Sequence, residues 1–123
     1  MRFMTMVKTA ENQGPPPPAL MEAIARLGEE GFRNGTLVEM GGLMPSATGA
    51  LVRLKRGKLS VTDGPFTETK ELIGGYAVFE LKSREEAIEA AKRFMELHRV
   101  HWPGWEGETE VRQVYGGPPN GQV

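Results

Sequence analysis

The segment Asp63-Gly64-Pro65-Phe66-Thr67-Glu68-Thr69-Lys70-Glu71 places three carboxylates and a lysine within nine residues. Carboxylates crowded in this way move toward neutral pKa values when buried, because ionising one disfavours ionising the next. A carboxylate so shifted can serve as a general acid or base. Asp63 is the candidate proton carrier here, with Arg53, Lys70 and Tyr76 as donors able to hold an anion or a carbonyl oxygen. The chemistry these residue types allow is proton abstraction from a small organic acid, with the donors stabilising the developing negative charge. The same residues also read as a turn. Asp63 then accepts bonds from the following backbone N–H groups, Gly64 takes a positive φ before the rigid Pro65, and Phe66 anchors the loop in the core. In that reading Glu68, Lys70 and Glu71 are simply solvated.

A second set of polar residues follows near the C-terminal end. His98 and His101 stand three apart on a predicted helix, so their rings can share a face and bind one metal ion. No HExxH pattern accompanies them, and the favoured roles are a helix C-terminal charge or a dimer contact, with no metal site expected. Trp102-Pro103-Gly104-Trp105 can form a lid over a pocket or pack a loop against the sheet or a dimer seam, the latter being favoured. Gly41-Gly42 and Gly74-Gly75 are too sparse for a dinucleotide fingerprint, and neither GxxxxGK[ST] nor GxSxG occurs, so no cofactor is expected. The chain contains no cysteine, which removes thiolate chemistry and sulfur-ligated metals and suits a reducing cytoplasm. A formal charge of −1 argues against a nucleic-acid partner, because phosphate binding needs a concentrated positive surface. No apolar stretch approaches ~20 residues, the N-terminus lacks a signal-type core, and no membrane partner is expected.

These residues need elements to position them. Residues 2 to 8 read as a first strand, closed by Asn12-Gln13-Gly14-Pro15. Pro18 suits a first helical turn, and Leu20, Ile24, Leu27 and Phe32 recur at helical spacing, which predicts a helix over 18–33 stopped by Asn34-Gly35. A strand follows over 36–40. Leu51–Lys55 and Leu59–Thr62 flank Arg56-Gly57-Lys58 as a hairpin. Over 73–81, Ala77, Phe79 and Leu81 point to one face and Tyr76, Val78 and Glu80 to the other, as a central strand requires. Ser83 with Glu86 forms a capping box for a helix over 84–99 that turns Ala87, Ala91, Phe94, Met95 and His98 inward. Residues 109–115 make a last strand, and 116–123 a loose tail. Two βαβ halves on a mainly antiparallel sheet, with an added hairpin, give a ferredoxin-like α+β fold.

The Asp63-Gly64-Pro65-Phe66 motif also carries a resemblance. Together with Leu72-Ile73-Gly74-Gly75-Tyr76, Gly42-Leu43-Met44-Pro45, Val52-Arg53 and Glu110-Val111-Arg112, it makes residues 1–115 similar to the DGPF branch of the YCII-related family. That resemblance implies a domain over 1–115 that pairs into a dimeric α+β barrel, with a cleft between the sheet and neighbouring loops. Some relatives in that family sit beside extracytoplasmic-function sigma factors, so the expected role is binding of a small metabolite or of a protein partner such as a sigma factor, and the residues around Asp63 expected to contact a ligand are Arg53, Pro65, Phe66, Glu68, Lys70 and Tyr76. The alternative is an isomerase- or lyase-like enzyme in which Asp63 transfers the proton. This chain departs from the pattern in its glycine-rich segment, which lacks the Glu and the His, and in helix one, which has no histidine. Those departures favour binding over acid–base catalysis.

Overall fold

The alternating pattern near the N-terminus becomes β1 (Arg2–Thr9), which buries Phe3 and Thr5 on one face. The proline run then leads into α1 (Pro18–Arg33), with Pro18 in its first turn, where its missing N–H costs nothing. Strand β2 (Leu37–Gly42) follows, then a hairpin of β3 (Ala50–Lys55) and β4 (Lys58–Asp63), then β5 (Leu72–Glu80), α2 (Arg84–His101) and β6 (Gly107–Gln113). This computed structural model describes residues 1–66 and 71–116. The expected tail over 116–123 lies outside the described residues apart from Gly116.

Strands β2, β5, β1 and β6 form one antiparallel sheet in that order, with β1 and β5 central. Both helices pack on one side of it, which makes the fold ferredoxin-like α+β as the pattern predicts. Register assigns the faces. Phe3 pairs with Phe79 and Thr5 with Ala77 toward the helices, while Met4 pairs with Val78 and Met6 with Tyr76 on the side no helix covers. Helix α1 approaches β2 through glycines, since a Cβ on Gly31 would come within 2.7 Å of Leu37 Cβ and one on Gly28 within 2.7 Å of Met40 Sδ.

Several boundaries differ from expectation for identifiable reasons. The hairpin turn is two residues, Arg56 and Gly57, both with positive φ, and Lys58 belongs to β4, paired with Lys55. This left-handed pair matches the twist of the strands it joins. At the start of α2, Ser83 Oγ accepts from Glu86 N as expected, but the Glu86 carboxylate reaches Lys82 N instead of Ser83 N. Helix α2 runs two residues beyond its expected end at position 99. The last strand is Gly107–Gln113, two residues earlier than predicted at each end; at its start Gly107 and Glu108 pair with Thr9 and Lys8 of β1, and the cross-strand ion pair of Lys8 with Glu108 lets that charge enter the ladder.

Candidate functional site

The sheet and the two helices do not close on each other completely. Between them lies a cleft of about 1000 Å³, walled by Leu20, Met21 and Ile24 of α1, Ala91 and Phe94 of α2, and the inward side chains Thr5, Val7, Ala77 and Phe79 of the sheet. On α2 the lining combines Ala90 and Ala91, the latter buried, with the rings of Phe94 and His98 and the charged side chains Glu85, Glu86, Glu89 and Arg93.

One end of the cleft is aromatic. Trp102 N donates to His98 O, and Trp105 N donates to Trp102 O, closing a turn with Pro103 second and Gly104 third at φ +86°. That φ favours glycine, and the turn it permits folds the Trp105 ring back onto His98, with centroids 4.4 Å apart. The ring of Phe94 lies 4.8 Å from His98 on the same helix, and Trp102 stacks near Trp105 at 6.1 Å. Gly107 makes room for this arrangement, since a Cβ there would meet Trp105 Cζ2 at 2.7 Å. His98 is 7% exposed, and its Nδ1 lies 3.0 Å from Phe94 O. Burial lowers its pKa from the ordinary imidazole value, opposed more weakly by that backbone bond. The tryptophan segment thus packs as a loop on His98 of α2 and beside Gly107 of β6, at the end of the cleft that both tryptophans line.

The opposite sequence region is tied to the cleft by two side chains of the Glu11–Gln13 turn. Gln13 clamps the backbone of Glu106, donating from Nε2 to its O at 2.8 Å and accepting its N–H at 2.9 Å. Thr9 Oγ1 donates to the same carbonyl at 2.8 Å and accepts from Gln13 Nε2. Glu11 lines the cleft and also grips Ser46, accepting from its N–H at 2.6 Å and its Oγ at 2.8 Å. Ser46 Oγ in turn accepts from Phe66 N at 3.1 Å. The Asp63–Phe66 loop is therefore held by a residue of the cleft rim, through Ser46.

The loop itself differs from its expected turn geometry. Gly64 does not have a positive φ; it is required because a Cβ there would overlap the Ser46 carbonyl oxygen. Its N–H donates to Gly49 O at 2.8 Å, and its bond to Pro65 is cis. No hydrogen bond to the Asp63 carboxylate occurs among the described residues, and the side chain is exposed at the end of β4. Phe66 is half-buried, with its ring 3.5 Å from where a Cβ on Gly49 would stand, and so it packs on the 46–49 turn and not in the core. Pro65 is exposed.

The remaining candidates are dispersed. Arg53 pairs with Ser60 on the hairpin, one pleat out of phase with Ala50, which faces Asp63, so Arg53 and Asp63 point to opposite faces. Tyr76 belongs to the sheet face away from the helices, its ring over Gly41 and its OH donating to Glu39 Oε1 at 3.3 Å. The Glu39 charge, aided by partial burial and this bond, raises its pKa. Glu68 and Lys70 lie outside the described residues, and Glu71 is exposed. The other shifted groups, among them Lys8, Glu80 and Glu110, are members of surface ion pairs. Among the described residues no three His, Asp or Glu side chains converge as metal ligands would. No helix of the described chain is long and apolar enough to cross a membrane.

Sequence reasoning singled out His98 for charge, metal or dimer roles and missed its place in the cleft. The only available signal was its helical phase with Ala87, Ala91 and Phe94. Glu11 and Gln13 carried no signal, since their partners lie 35 and 93 residues away.

A curated protein of Rhizobium meliloti (strain 1021), itself uncharacterised, is 36% identical over 58 residues. That alignment covers 47% of this chain and 47% of the relative, so the chain spans about half the length of the curated protein it matches. The family model of the YCII-related domain matches residues 1–97, from β1 into α2. With that match covering most of the chain, and a sheet whose strand order is that of a ferredoxin-like domain, this protein belongs to the YCII-related family.

Proposed function

We propose that this chain binds a small, largely apolar molecule in the cleft between its helices and its sheet. The observation that carries the reading is the cleft itself: about 1000 Å³ of space with aliphatic walls and an aromatic end, the composition expected of a small-molecule site. The charged lining among the described residues is Glu11, Glu30, Glu85, Glu86, Glu89 and Arg93, and Arg93 is paired with Glu30 at 2.9 Å. An anionic ligand gains little from such a lining, so the reading departs from the organic acid that Asp63 chemistry would need. The Asp63–Phe66 loop borders this site through Glu11 and Ser46 and acts as part of its frame. The test is a thermal-shift and calorimetric screen of neutral aromatic and alicyclic alcohols, run beside Ala77→Phe, which fills the cleft from β5. Stabilisation of the wild type and its loss in Ala77→Phe support the reading; equal response from both proteins, or none from the wild type, removes it.

The β3–β4 arm favours a second reading, self-association. Val52, Leu54, Leu59 and Val61 share one face of the arm and are each 67–74% exposed. Covering each such side chain is worth about 1–2 kcal/mol, and a two-stranded hairpin has little stability alone. We propose that a second copy of the chain covers this strip, forming the homodimer that the family resemblance implies. Sedimentation equilibrium should give a dimer for the wild type and a shift toward monomer for Val52→Ser with Leu54→Ser at unchanged helical content. A monomeric wild type removes the reading.

A further inference from the structure

Among the described residues the cleft contains one titratable side chain that is nine-tenths buried, carries a vacant hydrogen-bonding position and has no part in the packing ion pairs: His98. A carbonyl oxygen can only accept, so the 3.0 Å contact of Nδ1 with Phe94 O requires the proton on Nδ1. In the neutral ring, which burial favours, Nε2 is then a bare acceptor. Among the described residues Nε2 has no protein partner, and it is not sealed off, because the one enclosed side-chain nitrogen or oxygen without a partner is Arg2 Nε. The imidazole borders the cleft, and Phe94 and Trp105 fix its orientation from two sides. An unsatisfied acceptor in an apolar site is costly unless the ligand supplies a donor.

We infer that His98 Nε2 is the polar anchor of the cleft, accepting a hydrogen bond from the hydroxyl of an otherwise apolar, uncharged ligand such as a phenol or aromatic alcohol. The inference rests on the binding reading above and adds its specificity. The aromatic rings of Trp102 and Trp105 supply the stacking surface next to the anchor, and the acidic lining disfavours the ionised form of the same ligand.

Two probes separate the anchor from the cleft. Calorimetry with 2-naphthol and with 2-methoxynaphthalene, which lacks the donor, should give the wild type a preference of about 5- to 10-fold for the naphthol, the value of one net hydrogen bond. His98→Phe, which keeps a ring between Phe94 and Trp105, should bind both probes alike. A preference that survives in His98→Phe, or a wild type that binds both probes equally, overturns the anchor while leaving the cleft reading intact. If neither probe binds the wild type, the cleft reading fails and the anchor with it. A second measurement leaves His98 in place: long-range 1H–15N spectra of the wild type, with His101→Gln to assign the two histidines, should show the His98 proton on Nδ1 and a shift of Nε2 when 2-naphthol is added. A protonated Nε2 in the free protein overturns the inference.

Discussion

Replacing Ser46 with alanine tests whether the cleft rim and the Asp63–Phe66 loop are one mechanical unit. Ser46 is buried, and its hydroxyl is hydrogen-bonded to both, donating to Glu11 at 2.8 Å and accepting from Phe66 N at 3.1 Å. The substitution removes a hydrogen bond to a carboxylate, worth roughly 1.5–3 kcal/mol, and leaves the Phe66 N–H to be satisfied by water. Because Phe66 is half-buried, solvent recovers part of that second loss, so the net cost should be about 2 kcal/mol. For a domain of this length that lowers Tm by about 6–10 °C. If the loop instead opens by itself, the same cost appears as local exchange, with protection of the Ser46 and Phe66 amides falling about 30-fold. Differential scanning calorimetry and amide hydrogen exchange together capture both cases. Thr48→Ala is the control, since its exposed hydroxyl only donates to Pro45 O within the same turn, and it should change Tm by less than about 2 °C. A Ser46→Ala protein that melts within a degree of the wild type, with unaltered exchange at Phe66, would refute the coupling.

Three further expectations follow from the packing and the charges. His98 has a lowered pKa in the folded chain, so below about pH 6.5 the unfolded chain binds a proton that the folded one resists. Stability is therefore full above that pH and declines as pH falls from it to the folded value; pH-dependent melting should show this slope in the wild type and lose it in His98→Phe. Gly31→Ala places a methyl 2.7 Å from Leu37 Cβ and should cost about 1–3 kcal/mol by urea unfolding, whereas exposed Ala25→Gly should cost about 1 kcal/mol through helix propensity alone. Ser83→Ala removes the acceptor for Glu86 N and should cost about 1 kcal/mol, seen as a lower urea midpoint at unchanged slope.

Local chemistry made most of the fold legible. The proline at the first helical position and the Asn34-Gly35 stop bound α1 at Pro18–Arg33, as the spacing of Leu20, Ile24 and Leu27 predicts. Alternation along Ile73–Leu81 identified the central strand and its two faces, and the strand itself runs Leu72–Glu80. Both signals are legible because they arise within one or two turns of chain. The errors share the opposite property. Lys8 pairs with Glu108 across a hundred residues of sequence and so extends β6 toward Gly107, and that charge does not look like a strand former in isolation. Trp102 continues the hydrogen bonding of α2 only because its turn returns Trp105 to His98.

For the site the division is sharper. The Asp63-Gly64-Pro65-Phe66 motif stood out in the sequence, yet its need for glycine comes from the Ser46 carbonyl and not from its own backbone angle. Arg53, Asp63 and Tyr76 looked like one constellation along the chain, and the pleat of the hairpin and of β5 sends them to different surfaces. Residue type and periodicity determined which segments become helices and strands, which faces they bury, and that two helices share one side of a sheet. Only the tertiary structure decided that the helices stand far enough from the sheet to leave a cleft and that His98 borders it with Nε2 open. It alone also placed Glu11 and Gln13 at the rim. Element formation is governed by interactions a few residues apart, whereas a cleft is the space left among side chains distant in sequence, and no local pattern encodes that space.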